Sequence, residues 1–222
     1  MKRTSVARIF FAGSAAATVI GAATGRERVH RVAKPMMMPA LAASVERPSA
    51  VLGSALAAAT LGDVLMLDPD DDARILGGAG AFAVMQTCYS VLLASRGARI
   101  TTAAALPRMA GWGVAAVALR KRSPDVAPGL AGYGVLLATM STLSADPTLA
   151  PGATVRAGVV VPTGDTRSWL AAGGVLFTIS DALIVFRRLV PSSERVRRIA
   201  EGAVLSTYAV AQYLLVRGLS GE

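Results

Sequence analysis

Cysteine occurs once in these 222 residues, as Cys88, and histidine once, as His30. A lone cysteine excludes an internal disulfide and any cysteine-based metal cluster. Cys88 lies inside an apolar run and reads as a packing residue, and His30, within "RERVHR", reads as a solvated loop residue. Charge is scarce as well. Charged residues make up 17% of the chain, where soluble domains carry about 25%, and 53% of the chain is hydrophobic. That balance belongs to a membrane protein. Aromatics are only 5%, so the apolar content is mostly Ala, Val and Leu, which with the many glycines suits close helix packing in lipid. Acidic residues are outnumbered 14 to 23, giving a net charge of +9. The basic residues fall in short clusters between apolar runs, where they set topology against an anionic leaflet rather than bind nucleic acid. "DPDDDAR" (68–74) lacks the Gly and Glu of a calcium loop and reads as a solvated turn, so no metal is expected. Glycines such as those of "GAGAFA" pack helices and form no nucleotide loop.

What is present is a series of apolar stretches. Eight approach the length needed to cross about 30 Å of hydrocarbon: 7–25, 32–45, 48–68, 74–95, 99–120, 127–145, 168–190 and 198–217. The first has a charged start and could pass for a secretory signal, but the similar runs that follow make it a first transmembrane helix. The second is short and carries Pro35 and Pro39, which suggests a broken or tilted span. The connection 146–167 is the longest and reads as a loop or a re-entrant segment. There is no internal repeat and no separable soluble domain, so residues 1–222 are expected to form one all-α, polytopic bundle of about eight helices. The clusters of Lys and Arg fall mainly in the odd-numbered loops, which puts those loops in the cytoplasm and both termini outside. The basic N-terminus pulls the other way.

Polar residues within the spans are costly in lipid and point to function. Asp63 lies near the end of the third span and Asp181 slightly past the middle of the seventh. Lys34 opens the second span. Gln86 and Tyr89 are one turn apart on the fourth, and Tyr208 and Gln212 share a face of the eighth. In an alternating topology all of these favour one half of the bilayer or its centre. Two carboxyl groups in a partly dry cavity, one protonated and one ionised, are equipment for general acid–base chemistry. Structural readings stand beside this one. Asp181 pairs with Arg108 or Lys34, Asp63 reaches the interface, Lys34 snorkels to the headgroups, and the tyrosines and glutamines hold helices together by hydrogen bonds.

Six pieces in this order resemble the YhhN family of membrane proteins, which includes the lysoplasmalogenases. They are "KPMMMPAL" (34–41), "LGDVLML" (61–67), "GGAGAFAVMQTCY" (77–89), "YGVLLATM" (133–140), "GGVLFTISDALIVF" (173–186) and "YAVAQYLLVRG" (208–218). The resemblance implies an eight-helix integral membrane protein that hydrolyses the vinyl ether bond of a lysophospholipid, the lysoplasmalogen, to a fatty aldehyde and a glycerophospho-alcohol. The cell membrane is its expected location. It implies no cofactor. Asp63 and Asp181 match the family's two acidic positions, Lys34 its Lys-Pro lysine, and Tyr133, Ser180, Tyr208 and Gln212 further motif positions. One position departs: Phe82 and Tyr89 are kept, while Gln86 stands where histidine is expected, and glutamine exchanges no proton near neutral pH.

The implied chemistry suits two carboxyl groups. A neutral acid protonates the alkene carbon, and a carboxylate stabilises the oxocarbenium ion and deprotonates the attacking water. Asp181 is assigned the acid and Asp63 the base, an assignment the opposite way round also satisfies. Lys34 would meet the headgroup phosphate, and the tyrosines and glutamines would orient water or headgroup. Two alternatives remain: a small ion or solute transporter using Asp63, Asp181 and Arg108, and a catalytically silent lipid-binding member of the family.

Overall fold

The computed structural model describes residues 3–68, 71–156 and 159–221. Pro69 and Asp70 of the acidic turn, with Ala157 and Gly158 of the long connection, lie outside them. The apolar runs form eight α-helices: α1 (Arg3–Thr24), α2 (Glu27–Ala43), α3 (Ala50–Leu65), α4 (Asp72–Ser95), α5 (Thr102–Arg122), α6 (Ala127–Ser144), α7 (Leu170–Leu189) and α8 (Glu194–Ser220). Short polar residues start several of them by accepting the otherwise unpaired first amides. Ser49 accepts from Leu52 N, Asp71 from Ala73 N and Arg74 N, and Ser193 from Val196 N. Between α1 and α2 the chain reverses through Gly25 at φ +71°, a left-handed conformation that favours glycine.

Five helices are long and apolar enough to cross a membrane: α1, α4, α5, α7 with the 3₁₀ turn that leads into it, and α8. This is a multi-pass membrane protein. The other three are shorter. At 1.5 Å per residue, α3 with its 16 residues rises only about 24 Å, and α2 has 17 residues with a charged first half.

The contacts between helices set the architecture. α1 packs on α2, α2 on α3, α3 on α4, α4 on α6, α6 on α7, α7 on α8, and α8 back on α1. Seven helices thus close a ring. α5 stands outside it, against α6 and α7, and only Ala104 and Leu119 of α5 are buried. Inside the ring, Met37, Met38, Leu41, Met85, Tyr89, Phe177 and Leu215 are fully buried. Small residues let the helices approach. At Gly21 an added Cβ would lie 2.8 Å from the backbone nitrogen of His30, and at Gly174 it would lie 3.2 Å from Ser141 Cα.

Several expectations change. "RERVHR" is not a solvated loop: α2 starts at Glu27, and His30 lies on it against α1, half-buried. Arg26, the residue before it, makes no side-chain cap, so the sequence carries no start signal there. α2 continues through Pro35 and Pro39 as one helix. α8 begins at Glu194, four residues before the expected 198, because Ser193 caps it and the basic "ERVRR" is helical. The described part of the long connection holds a 3₁₀ turn (Pro147–Leu149) and a two-residue antiparallel hairpin, β1 (Val155–Arg156) with β2 (Val159–Val160). A second 3₁₀ turn (Thr166–Trp169) leads into α7.

Asp146 fixes the start of this connection. It is buried, and its carboxylate accepts from Arg99 N at 2.6 Å and Thr148 N at 2.9 Å. Burial alone would push its pKa up, but these amide donors and the nearby Arg99 charge outweigh that and hold it below the usual carboxylate range.

Candidate functional site

A cavity of about 960 Å³ runs between α5, α6 and α7 into the ring. Every helix except α1 contributes to its wall, and most of that wall is apolar. Lys34 of α2, Asp63 of α3, Tyr133 of α6, Ser180 and Asp181 of α7 and Tyr208 of α8 all line it. Six of the nine residues singled out from the sequence therefore share one cavity.

The two carboxyl groups are held alike. Tyr208 OH donates to Asp63 Oδ2 at 3.0 Å, and Tyr133 OH donates to Asp181 Oδ2. Each tyrosine comes from a helix other than its acid's, so the pairs lock α8 to α3 and α6 to α7. Phe82 and Phe177 meet Tyr208 edge-on, with ring centroids at 5.9 and 5.6 Å, which fixes the phenol's direction. Asp63 and Ser180 are each 1% exposed.

Lys34 is buried rather than snorkelled. Its ammonium donates to the Met66 carbonyl at 3.0 Å and lies within electrostatic reach of Asp63. Asp181 pairs with neither Arg108 nor Lys34. Arg108 instead bonds Ser141 Oγ at 2.8 Å and the Ala104 carbonyl at 2.7 Å. Ser180 spends its hydroxyl on the Val204 carbonyl at 3.0 Å, tying α7 to α8.

Gln86, Tyr89 and Gln212 stand behind the wall. Tyr89 OH donates to Gln212 Oε1 at 2.7 Å, joining α4 to α8. Gln86 is fully buried beside the Tyr133 hydroxyl, yet neither its amide nitrogen nor its oxygen makes a hydrogen bond of good geometry. A buried amide left so is costly.

The sequence reading missed the groups at the mouth. There Arg187 pairs with Glu201, and Arg188 pairs with Asp72 at 2.6 Å. Nothing in the sequence signals these pairs, since they depend on which helix ends meet. Phe177 was findable: it lies four residues before Asp181 and so shares its face of α7.

The model of the YhhN family matches residues 29–219. No curated protein and no solved structure matches the chain.

Proposed function

The chain belongs to the YhhN family, and from that premise we propose that it is a membrane-embedded hydrolase of the vinyl ether bond in lysoplasmalogens. One observation carries the reading. Two carboxyl groups, each fixed by a tyrosine from another helix, face a single apolar-walled cavity large enough for a single-chain lipid.

Asp181 enters as the neutral acid and gives its proton to the alkene carbon remote from the ether oxygen, leaving an oxocarbenium ion. Asp63, as carboxylate, takes a proton from the water that adds to this ion. The hemiacetal hydroxyl then gives its proton to the Asp181 carboxylate as the carbon's bond to the glycerol oxygen breaks, that oxygen takes the proton Asp63 received from water, and a fatty aldehyde and a glycerophospho-alcohol leave with both acids restored. The assignment follows the surrounding charge. Lys34 lies near Asp63 and supplies its counter-charge, while the hydrogen-bond partner of Asp181 is a tyrosine hydroxyl. Lys34 also faces the cavity, where it meets the headgroup phosphate. Tyr89 and Gln212 brace α4 against α8 behind the acids. The cell membrane is the proposed location.

A second reading has its own support. Gln86, buried beside the Tyr133 hydroxyl, stands where a family histidine is expected, which favours a lipid-binding member without turnover.

The experiment gives purified protein a lysoplasmalogen and an ester-linked lysolipid and measures aldehyde. Release from the vinyl ether alone, lost in Asp63→Asn and Asp181→Asn, supports hydrolysis. No aldehyde from folded protein that still binds the lipid sinks the hydrolase. Activity that appears only in Gln86→His identifies the silent member.

A further inference from the structure

Arg108 has no part in the vinyl ether chemistry, yet it is a charge carried on a helix long and apolar enough to cross the membrane. Charges on membrane-crossing helices face a cavity or a partner. Arg108 lines the cavity, on the same wall as Ser141 and Thr178. Its two hydrogen bonds go to neutral oxygens, Ser141 Oγ and the Ala104 carbonyl. No ion pair among the described residues includes it. The contrast with Arg187 and Arg188 is direct, because each of those cavity arginines has a carboxylate.

The guanidinium is also held in place. Ser141 Oγ donates to the Gly174 carbonyl at 3.0 Å, so its lone pairs are free to receive the Nε–H of Arg108. Thr178 Oγ1 lies 3.1 Å from the same Ser141 oxygen and fixes it from α7. A guanidinium has five N–H donors, and a planar fork of this kind matches phosphate or carboxylate oxygens. Two of the five are used by the bonds above, and the rest of the group borders a cavity whose walls nearby are Pro107, Gly111, Leu137 and Ala138.

We infer that Arg108, set by Ser141 and Thr178, is an anion-binding site for the head of a single-chain amphiphile, a phosphate or a carboxylate whose hydrocarbon tail lies along the apolar wall. The apolar lining favours an amphiphile over a free inorganic ion. This site is distinct from the pair of aspartates and stands whether or not they turn over lipid.

Binding to the purified full chain in a neutral detergent tests it, with quenching of Trp112, a cavity residue, as the readout. The probes are oleate, oleoyl lysophosphatidate and the uncharged oleoyl glycerol, with inorganic phosphate as competitor. Both acidic lipids, or one of them, should bind at least about tenfold more tightly than oleoyl glycerol, and the tighter identifies the head. Arg108→Met should abolish the preference and Arg108→Lys should keep most of it. If Arg108→Met does not fold, as judged by circular dichroism, Arg108→Gln replaces it. Equal binding of charged and uncharged lipids, or a preference that survives loss of the charge, overturns the site and leaves Arg108 as an interfacial anchor. Displacement of the lipids by millimolar phosphate overturns the amphiphile.

Discussion

Tyr133 and Tyr208 each place a phenol on one carboxyl group, so Tyr133→Phe and Tyr208→Phe isolate what that donor does. Each should lower kcat for aldehyde release by about 10- to 100-fold, a loss of the size seen when one positioned donor is removed. Neither should unfold the protein. In Tyr208→Phe the ring still meets Phe82 and Phe177, so thermal unfolding in detergent separates lost chemistry from lost packing. Gln86→Leu tests the buried amide: it removes a polar group whose contact with the Tyr133 hydroxyl is poorly aligned, and should raise stability by about 1 kcal/mol. A fall in unfolding temperature would count against that account. At this scale the sequence was informative about cost and silent about partners. Asp63 and Asp181 stood out because a carboxyl group among apolar residues is expensive. That Asp181 meets Tyr133 rather than Arg108 depends on which faces of α5, α6 and α7 meet, and spacing along one helix does not carry that.

Among the elements, the tightest joint is the α1–α2 hairpin. Gly21→Ala would put a Cβ 2.8 Å from a backbone nitrogen of α2, and backbone does not give way as a side chain end does. The helices must part, at a cost of about 1–3 kcal/mol read from thermal unfolding. The joint after α6 depends on pH. The Asp146 carboxylate is held below its usual range by amide donors, so the stability it contributes is present above the unfolded value, about 3.9, and is lost as pH falls toward the lower folded value. Asp146→Asn should lower the unfolding temperature at neutral pH and flatten its decline below about pH 4. An unchanged acid limb would show that the joint contributes little. The sequence placed the helices well in their middles and poorly at three starts, those of α1, α2 and α8. α2 begins with no side-chain cap, leaving only charged residues that resemble a loop. α8 does have its serine cap, but the polar residues after it masked the signal.

The molecule as a whole is a seven-helix ring with α5 on its outer side. Eight apolar stretches were legible, yet the ring order was not, because α4 packs on α6 and the helix between them in sequence lies outside. Closure through α1 and α8 can be tested with a disulfide. An added Cβ at Gly202 would lie 3.2 Å from Ala23 Cβ, so a small parting of α1 and α8 reaches the roughly 3.5–4.5 Å Cβ separation of a disulfide. Ala23→Cys with Gly202→Cys, in a Cys88→Ser background, should cross-link on mild oxidation and raise the unfolding temperature. Absence of the cross-link in folded protein would refute the closed ring.

That closure also constrains how the protein is made. α1 and α8 are far apart in the order of synthesis, so during translation α1, α2 and α3 enter the bilayer long before the helix that joins them to α7. Until α8 arrives, Asp63 lacks Tyr208, and Tyr89 lacks Gln212. The nascent chain must carry Asp63 and Tyr89 in lipid with these hydrogen-bond partners still on the ribosome. A strong demand on the membrane insertase, and rapid proteolysis of chains stopped before α8, follow from the order in which the ring is threaded.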